Sequence, residues 1–429
     1  MDPINVLVAL GGGPSPVINS SLLGVVHGWR GHPDRFGALF AARHGIEGLL
    51  QEELVDLGGQ DPAELERLAH TPASGAVGTC RYKLGAGREE DFDRILEVLQ
   101  AHGIGFFFYI GGNDSMDTAD KVSRLARARG YPLVVAGIPK TIDNDLGDEA
   151  RTIIDHTPGY GSAARYWASL LRDVEEENRG MYVSERVAVL QAMGRKSGFL
   201  TAAARLSDPH RTTPLQLYFA ESHHTLDSLA ANVDRELRRS GRCIVVVNEG
   251  FDVGGLGEAR DGFGHVEYGA SRTTAAQVVV NHLNSLKFPV RGVTSGQVPG
   301  VLQRSTSLCR STVDAREAHD VAVFAVETAL EEGTGYMATI LREPGERYRP
   351  IYRKVALDVV ANSERHLPEE WIAPDGIDVT DEFVRYATPL LGDGFAEIPV
   401  EDGLQRFARL DVTCVPKRTG TYVPVGMRD

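Results

Sequence analysis

The sequence predicts an α/β protein of two similar doubly wound parallel-sheet lobes with a C-terminal extension, and three observations lead there. Short apolar runs alternate with amphipathic stretches along most of the chain, the rhythm of parallel strands covered by helices. The stretches LGGGPSPVINSSLLGVV (10–26) and MGRKSGFLTAAARL (193–206) share one design of strand, glycine turn and helix. A chain of 429 residues, 42% hydrophobic with 47 glycines, is long enough to bury two cores of ordinary size.

The elements follow in chain order. INVLVAL is a strand leading into a helix over 17–30, and GIGFFFYI is a strand leading into a helix over 115–129. That second helix is well punctuated: Gly111-Gly112 make the turn, Asp114 or Ser115 is the N-cap, Ala119, Val122, Leu125 and Ala126 fall at helical spacing, and Gly130 and Pro132 stop it. PLVVAGI precedes a helix over 159–178, RVAVLQAM one over 198–206, and CIVVVNEG one over 270–284. The glycine- and charge-rich stretch 251–269 reads as a surface loop of lid-like character. From about residue 343 the alternation breaks, so the tail is expected to wrap a lobe or an interface.

Composition excludes several classes. A net charge of −14 with no basic cluster interleaved with aromatics argues against a nucleic-acid groove and an anionic membrane surface. Cys80, Cys243, Cys309 and Cys414 are far apart without a CxxC pair, which argues against a disulfide framework and a zinc site. The N-terminus lacks a basic leader, and nowhere do about 18 apolar residues run together. A cytoplasmic setting is the simplest expectation.

In doubly wound folds ligands sit beyond the carboxyl ends of the strands, and four such loops are loaded. Gly11-Gly12-Gly13-Pro14 opens a helix, where small residues let backbone N–H groups and the helix dipole approach a phosphate. Neither a P-loop nor a GxGxxG fingerprint is present, and a glycine turn alone is common. In GGNDS (111–115) an ordinary helix cap accounts for Asp114 and Ser115 equally well. PKTIDND (139–145) puts Lys140 beside Asp143 and Asp145, two carboxylates at a spacing that sends both to one side of an extended loop, though a solvated polar turn is the plain alternative. MGRKSG (193–198) offers Arg195 and Lys196 at a helix start, suited to an anion or simply to solvent. Together the loops ask for phosphates, a divalent ion on carboxylates, and one carboxylate free to take a proton, which is phosphoryl transfer to a hydroxyl.

The ordered set GGG (11–13), GTCRYK (78–83), GGNDS, PKTIDND, MGR (193–195), NEG (248–250) and QRS (303–305) resembles the phosphofructokinases, specifically their pyrophosphate-dependent members, and ANSERHLP (361–368) resembles that type too. The resemblance implies an active site in the cleft between a phosphoryl-donor lobe (1–155 with about 310–342) and a sugar-phosphate lobe (156–309), with 343–429 as the extension. It implies reversible transfer from pyrophosphate to the C1 hydroxyl of fructose 6-phosphate, with magnesium as cofactor. Asp143 would be the general base, and Arg81 and Lys140 would hold the moving phosphoryl group, with Gly11, Gly12, Gly112, Asn113, Ser115 and Lys83 around the donor. Asp145, with Asn113 and Asp114, would bind or orient the metal. Thr141, Met193, Gly194, Arg195, Glu249 and Val301 match sugar-contacting positions, and Arg186 and Arg304 match arginines that hold the 6-phosphate. Arg186 would reach across from a neighbouring subunit, which implies a homodimer or homotetramer.

ATP-using relatives have glycine where Asp114 stands and a small residue where Lys140 stands. A carboxylate at Asp114 repels a nucleotide's α-phosphate, and Lys140 adds a cation for a donor that lacks adenosine's remote contacts. Departures from the pattern also occur: Asn113 replaces an aspartate common in relatives, and Val301 stands where an aromatic or histidine is usual. Sedoheptulose 7-phosphate therefore stays open as acceptor. An ATP-dependent kinase and a non-catalytic regulatory subunit are the rival readings, the second set against the presence of Asp143, Asp145, Lys140, Arg81 and Arg195.

Overall fold

The structure, a computed structural model, describes residues 3–85, 87–255, 259–260, 266–361 and 363–428. Its main strands are β1 (Ile4–Leu10), β2 (Phe36–Ala42), β3 (Leu54–Asp56), β4 (Ile104–Gly111), β5 (Val134–Pro139), β6 (Glu185–Ala192), β7 (Leu215–Tyr218), β8 (Cys243–Asn248), β9 (Val293–Gln297), β10 (Tyr336–Arg342) and β11 (Pro350–Ala356). They form a seven-stranded sheet, order β11-β10-β5-β4-β1-β2-β3, and a four-stranded sheet, order β7-β8-β6-β9. The small sheet is all parallel; in the large one only the edge pairs β10–β11 and β2–β3 are antiparallel.

Double winding is written into side-chain parity. Along β1, Val6, Val8 and Leu10 enter one core while Leu7 and Ala9 enter the other. In the second lobe Ile244 and Val246 of β8 face one cluster, and Cys243, Val245 and Val247 face the opposite one. Strands apolar on both faces can only sit between two helical layers, which is why their sequences read as unbroken apolar runs. Fully burying each of the Val, Leu and Ile side chains among them contributes roughly 1.5–3 kcal/mol.

Helices form near the expected places: Ile18–Arg30, Asn113–Ala128, Tyr160–Met181, the short Phe199–Ala203 extended by a 3₁₀ turn, and Ala275–Ser285. One detail is corrected. Gly112, in an extended conformation (φ −89°, ψ −163°), is the N-cap of the helix Asn113–Ala128, so Asp114 and Ser115 lie inside its first turn. The stretch 251–269, expected as a lid-like surface loop, falls partly outside the described residues, at 256–258 and 261–265.

The expected boundary at 343 also moves, because β11 pairs with β10 through a full antiparallel register and the first lobe's sheet runs on to Ala356. A lone antiparallel edge strand with an exposed face has no parallel-sheet signature in its sequence. Beyond it the tail packs on both lobes. Leu367, Trp371, Phe383 and Leu390 join the core of the small sheet, whereas Ala408 joins that of the large one.

Where the chain crosses between lobes, His156 is buried between Asp155 (2.8 Å) and Glu317 (2.7 Å), with Arg342 on Asp155 (3.1 Å). Burial works against the imidazolium, but the two carboxylates outweigh it and raise His156 to about 9. A pKa raised above its unfolded value adds stability that is complete below about 6.5 and is lost as pH climbs through 9. The melting temperature is therefore expected to fall between pH 7 and 9.5 in the wild type, and His156→Gln to lose stability at pH 6 and flatten that decline. Parallel pH–Tm curves for the two proteins would remove His156 from this role.

Candidate active site

Strands β1, β4, β5, β6 and β8 end at one cavity of about 640 Å³ including its open mouth. The order of the large sheet reverses between β1 and β4, and a crevice opens at such a switch point. Gly12, Gly13, Arg81, Gly112, Asn113, Asp114, Ser115, Lys140, Thr141, Asp143, Asp145, Met193, Arg195, Glu249 and Arg304 all line it. Residues spread over nearly 300 positions of sequence thus converge.

The glycine loop is built to let cations in. Gly12 has φ +76°, which L side chains rarely adopt, and its N–H is fixed by the Cys80 carbonyl at 2.9 Å. A Cβ on Gly13 would lie 2.6 Å from Nη1 of Arg304 and 3.4 Å from Nη2 of Arg81. Nζ of Lys140 donates to the Gly13 carbonyl at 2.6 Å. Three cations therefore crowd one backbone turn. Burial above all lowers Lys140 to about 7, and Arg304 and Arg81 add to the effect against Asp143 and Asp145. An anion here would relieve all three.

Pro139 closes β5, since it has no N–H to extend the ladder, and Lys140 N then bonds the Gly111 carbonyl at 3.0 Å. The loop beyond is not extended. Thr141 Oγ1 accepts from Asp143 N at 3.1 Å, and Asn144 takes a left-handed conformation (φ 58°). That turn, rather than strand alternation, sends both Asp143 and Asp145 into the cavity. Burial and then Asp143 push the Asp145 carboxyl up from its ordinary range. On the side of β6 and β8, Glu249 accepts from the backbone N–H of Gly194 (3.2 Å) and Arg195 (2.9 Å), holding Arg195 at φ 51°. Burial first, and Asp143 next, raise Glu249 to about 7. A carboxyl that carries a proton there can donate to a sugar oxygen.

Asp114 meets Lys83 at 3.2 Å, at the start of the helix Asn113–Ala128. The spot where a helix dipole would welcome a phosphate is occupied by the chain's own anion. Gly11 sits just behind the cavity, bridged to Cys80 and hydrogen-bonded to the Ile110 carbonyl at 2.8 Å.

Of the predicted residues, Gly11, Lys83 and Gly194 adjoin the cavity without lining it, and two lie elsewhere. Arg186 does not line the cavity; its guanidinium stacks 5.0 Å from the Phe288 ring and donates to the carbonyls of Val290 and Gly292. Val301 is 57% exposed and also lies outside the cavity lining. Arg304, matched with Arg186 to the 6-phosphate arginines in the sequence, lines the cavity and approaches the Gly13 turn of its own chain.

Sequence reasoning missed three residues. Glu267 reaches Arg81 at 2.5 Å, a carboxylate beside the guanidinium expected to hold a phosphate. Gln303 accepts from Met193 N (3.0 Å) and Trp167 Nε1 (2.9 Å), which fixes the loop after β6. Arg365 is fully buried under the aspartate loop. Gln303 and Arg365 lay within recognised motifs, QRS and ANSERHLP, without a role of their own, and Glu267 lay in none.

Magnesium can be tested against these groups. Asp143 Oδ1 and Asp145 Oδ1 are buried without a hydrogen-bond partner among the described residues, an arrangement that suits a nearby cation. Among the described residues no three His, Cys, Asp or Glu side chains form a metal cluster. One or two carboxylates completed by substrate phosphates are the usual provision for magnesium, so the residues fit it.

The family described as "Phosphofructokinase" matches residues 5–329. A protein of Methylococcus capsulatus called pyrophosphate–fructose 6-phosphate 1-phosphotransferase is 38% identical over 424 residues, 96% of this chain and 97% of its own. One of the same description from Rhodospirillum rubrum is 39% identical over 407 residues, 91% of this chain and 95% of its own. The crystal structure of a pyrophosphate-dependent phosphofructokinase from Marinobacter aquaeolei superposes with TM-score 0.86 at 34% identity, covering 98% of this chain and 99% of that one.

Proposed function

Because the chain belongs to the phosphofructokinase family, we infer that it transfers a phosphoryl group reversibly from pyrophosphate to the C1 hydroxyl of fructose 6-phosphate. The observation that carries the choice of donor is Asp114, a carboxylate in the first turn of the helix that faces the donor half of the cavity. Its negative charge at the helix start disfavours a nucleotide's α-phosphate there.

Arg81, Lys140 and Arg304 bind the pyrophosphate oxygens at the glycine turn and stabilise the charge spread over the moving phosphoryl group. The donor takes over Arg81 from Glu267. Glu249, Thr141, Met193 and Arg195 orient the sugar, and Asp143 accepts the C1 hydroxyl proton as that oxygen bonds to phosphorus and the bond to the leaving phosphate breaks. Asp145, with Asn113 and Asp114 close by, would hold magnesium, which when bound neutralises phosphate charge.

A homo-oligomer and a cytoplasmic setting belong to the same reading. Val183, Val293, Val298, Val301 and Leu302 are exposed near the small sheet's edge strand β9. Apolar exposure of this kind suits contact with a second copy, and Arg186 on neighbouring β6 would then serve that copy's 6-phosphate. No helix among the described residues is long and apolar enough to cross a membrane.

The test crosses pyrophosphate and ATP with fructose 6-phosphate and sedoheptulose 7-phosphate on purified enzyme. The highest kcat/KM is expected for pyrophosphate with fructose 6-phosphate. Preference for ATP would overturn the donor, and preference for the seven-carbon sugar the acceptor.

A further inference from the structure

Residues 363–367 of the C-terminal extension bond to three active-site loops at once, those that follow β4, β5 and β6. The Ser363 carbonyl accepts from the Asn113 amide, and Ser363 Oγ accepts from Gly147 N at 3.1 Å. Arg365 N donates to the Asp145 carbonyl at 2.7 Å, and His366 Nδ1 lies 3.1 Å from the Lys196 carbonyl. Leu367 N donates to Glu221 at 2.7 Å, and Glu221 also accepts from Gly198 N at 3.0 Å.

At the centre stands the Arg365 guanidinium, fully buried. Nε donates to the Asn144 carbonyl (2.8 Å), Nη2 to Asn144 Oδ1 (2.7 Å), and Nη1 to the carbonyls of Ile154 (2.8 Å) and Asp155 (3.2 Å). Burying a cation is costly unless hydrogen bonds satisfy it, and here main-chain carbonyls and one amide do so. Those acceptors need a planar fork of donors, which lysine lacks. Two of the four bonds hold Asn144, whose left-handed turn aims the flanking aspartates, and Tyr386 Oη steadies the Asn144 amide at 3.0 Å.

We propose that Arg365 is a positioning residue for phosphoryl transfer, its guanidinium locking the Asn144 turn and so aiming the Asp143 and Asp145 carboxylates into the cavity. The inference rests on the role given to Asp143 above. Misplacing a reacting group by about 1 Å costs on the order of 100-fold in rate. Arg365 touches no substrate, so its loss should appear in kcat and not in KM.

The test compares wild type, Arg365→Lys, Arg365→Ala and Tyr386→Phe in steady-state kinetics with pyrophosphate and fructose 6-phosphate, with near-UV circular dichroism and Tm as checks of folding. Arg365→Lys is expected to lose about 100-fold in kcat with KM for both substrates little changed. Free guanidinium at low millimolar concentration should restore part of the kcat of Arg365→Ala. Tyr386→Phe should show a smaller loss with the same kcat-only signature. A folded Arg365→Lys with wild-type kcat and only a lower Tm overturns the inference, as does guanidinium that raises Tm without raising kcat. Should the Arg365 variants not fold, Tyr386→Phe decides, and unchanged kcat there overturns it. An inactive wild type would sink the functional reading as well, whereas an active wild type matched by the variants sinks the inference alone.

Discussion

Asp143→Asn is expected to lower kcat by about 10²- to 10⁴-fold while both KM values stay close to wild type. Asparagine preserves the shape of the side chain and the bond from residue 143 N to Thr141 Oγ1, so the loop should hold its course. What it removes is the oxygen that takes the proton from the sugar hydroxyl. Asp143 Oδ1 is buried without a hydrogen-bond partner among the described residues, so no other contact of that oxygen is lost. The loss is bounded because the transition state is loose, and Arg81, Lys140 and Arg304 continue to stabilise its charge. A coupled assay in both directions checks this, since one base must serve transfer to and from the sugar. A variant retaining more than roughly a tenth of wild-type kcat in either direction would give the proton to another group.

How much of this site could be read beforehand follows from where each contact lies along the chain. Lys140, Asp143 and Asp145 are legible because the breaker Pro139 and the charges fall within seven residues directly after a strand, and the loop's place at a strand's carboxyl end is a property of the fold. Asn144 is legible as a residue and not as a turn: its left-handed φ depends on Arg365 and Tyr386, more than 200 positions away. Nothing local announces such a pair. Glu267 is hidden for the same reason, as it meets Arg81 across 186 positions from a segment that reads only as polar loop. Asp114 was placed one step outside its helix because Asp and Ser favour caps, whereas the extended Gly112 takes that position. Arg186 and Arg304 look alike in sequence, and only the fold separates them, one buried against Phe288 away from the cavity and one at the Gly13 turn.

Lys140 carries the second large effect, and its sign depends on pH. In the free protein burial holds its ammonium down from 10.5 to about 7, with Arg304 and Arg81 pressing the same way. Bound pyrophosphate supplies the missing counter-charge, so above pH 7 the donor must bring a proton with it. The kcat/KM for pyrophosphate is accordingly expected to be flat below about 7 and to fall above it. Lys140→Met should lie about 10²- to 10³-fold lower and lose this alkaline fall. Stability moves the other way: a lysine held below its unfolded value destabilises the fold at neutral pH, a cost that recedes as pH rises from 7 towards 10.5. Lys140→Met should therefore melt at a higher temperature than wild type at pH 7 while transferring phosphate far more slowly. Adding Asp114→Gly to Lys140→Gly takes away both the donor's cation and the carboxylate that Lys83 meets at 3.2 Å, opening the helix start to a third phosphate. The double variant is expected to lose pyrophosphate activity and gain measurable ATP turnover. Undiminished pyrophosphate use in that variant, or an alkaline limb that survives Lys140→Met, would strip both residues of the roles assigned to them.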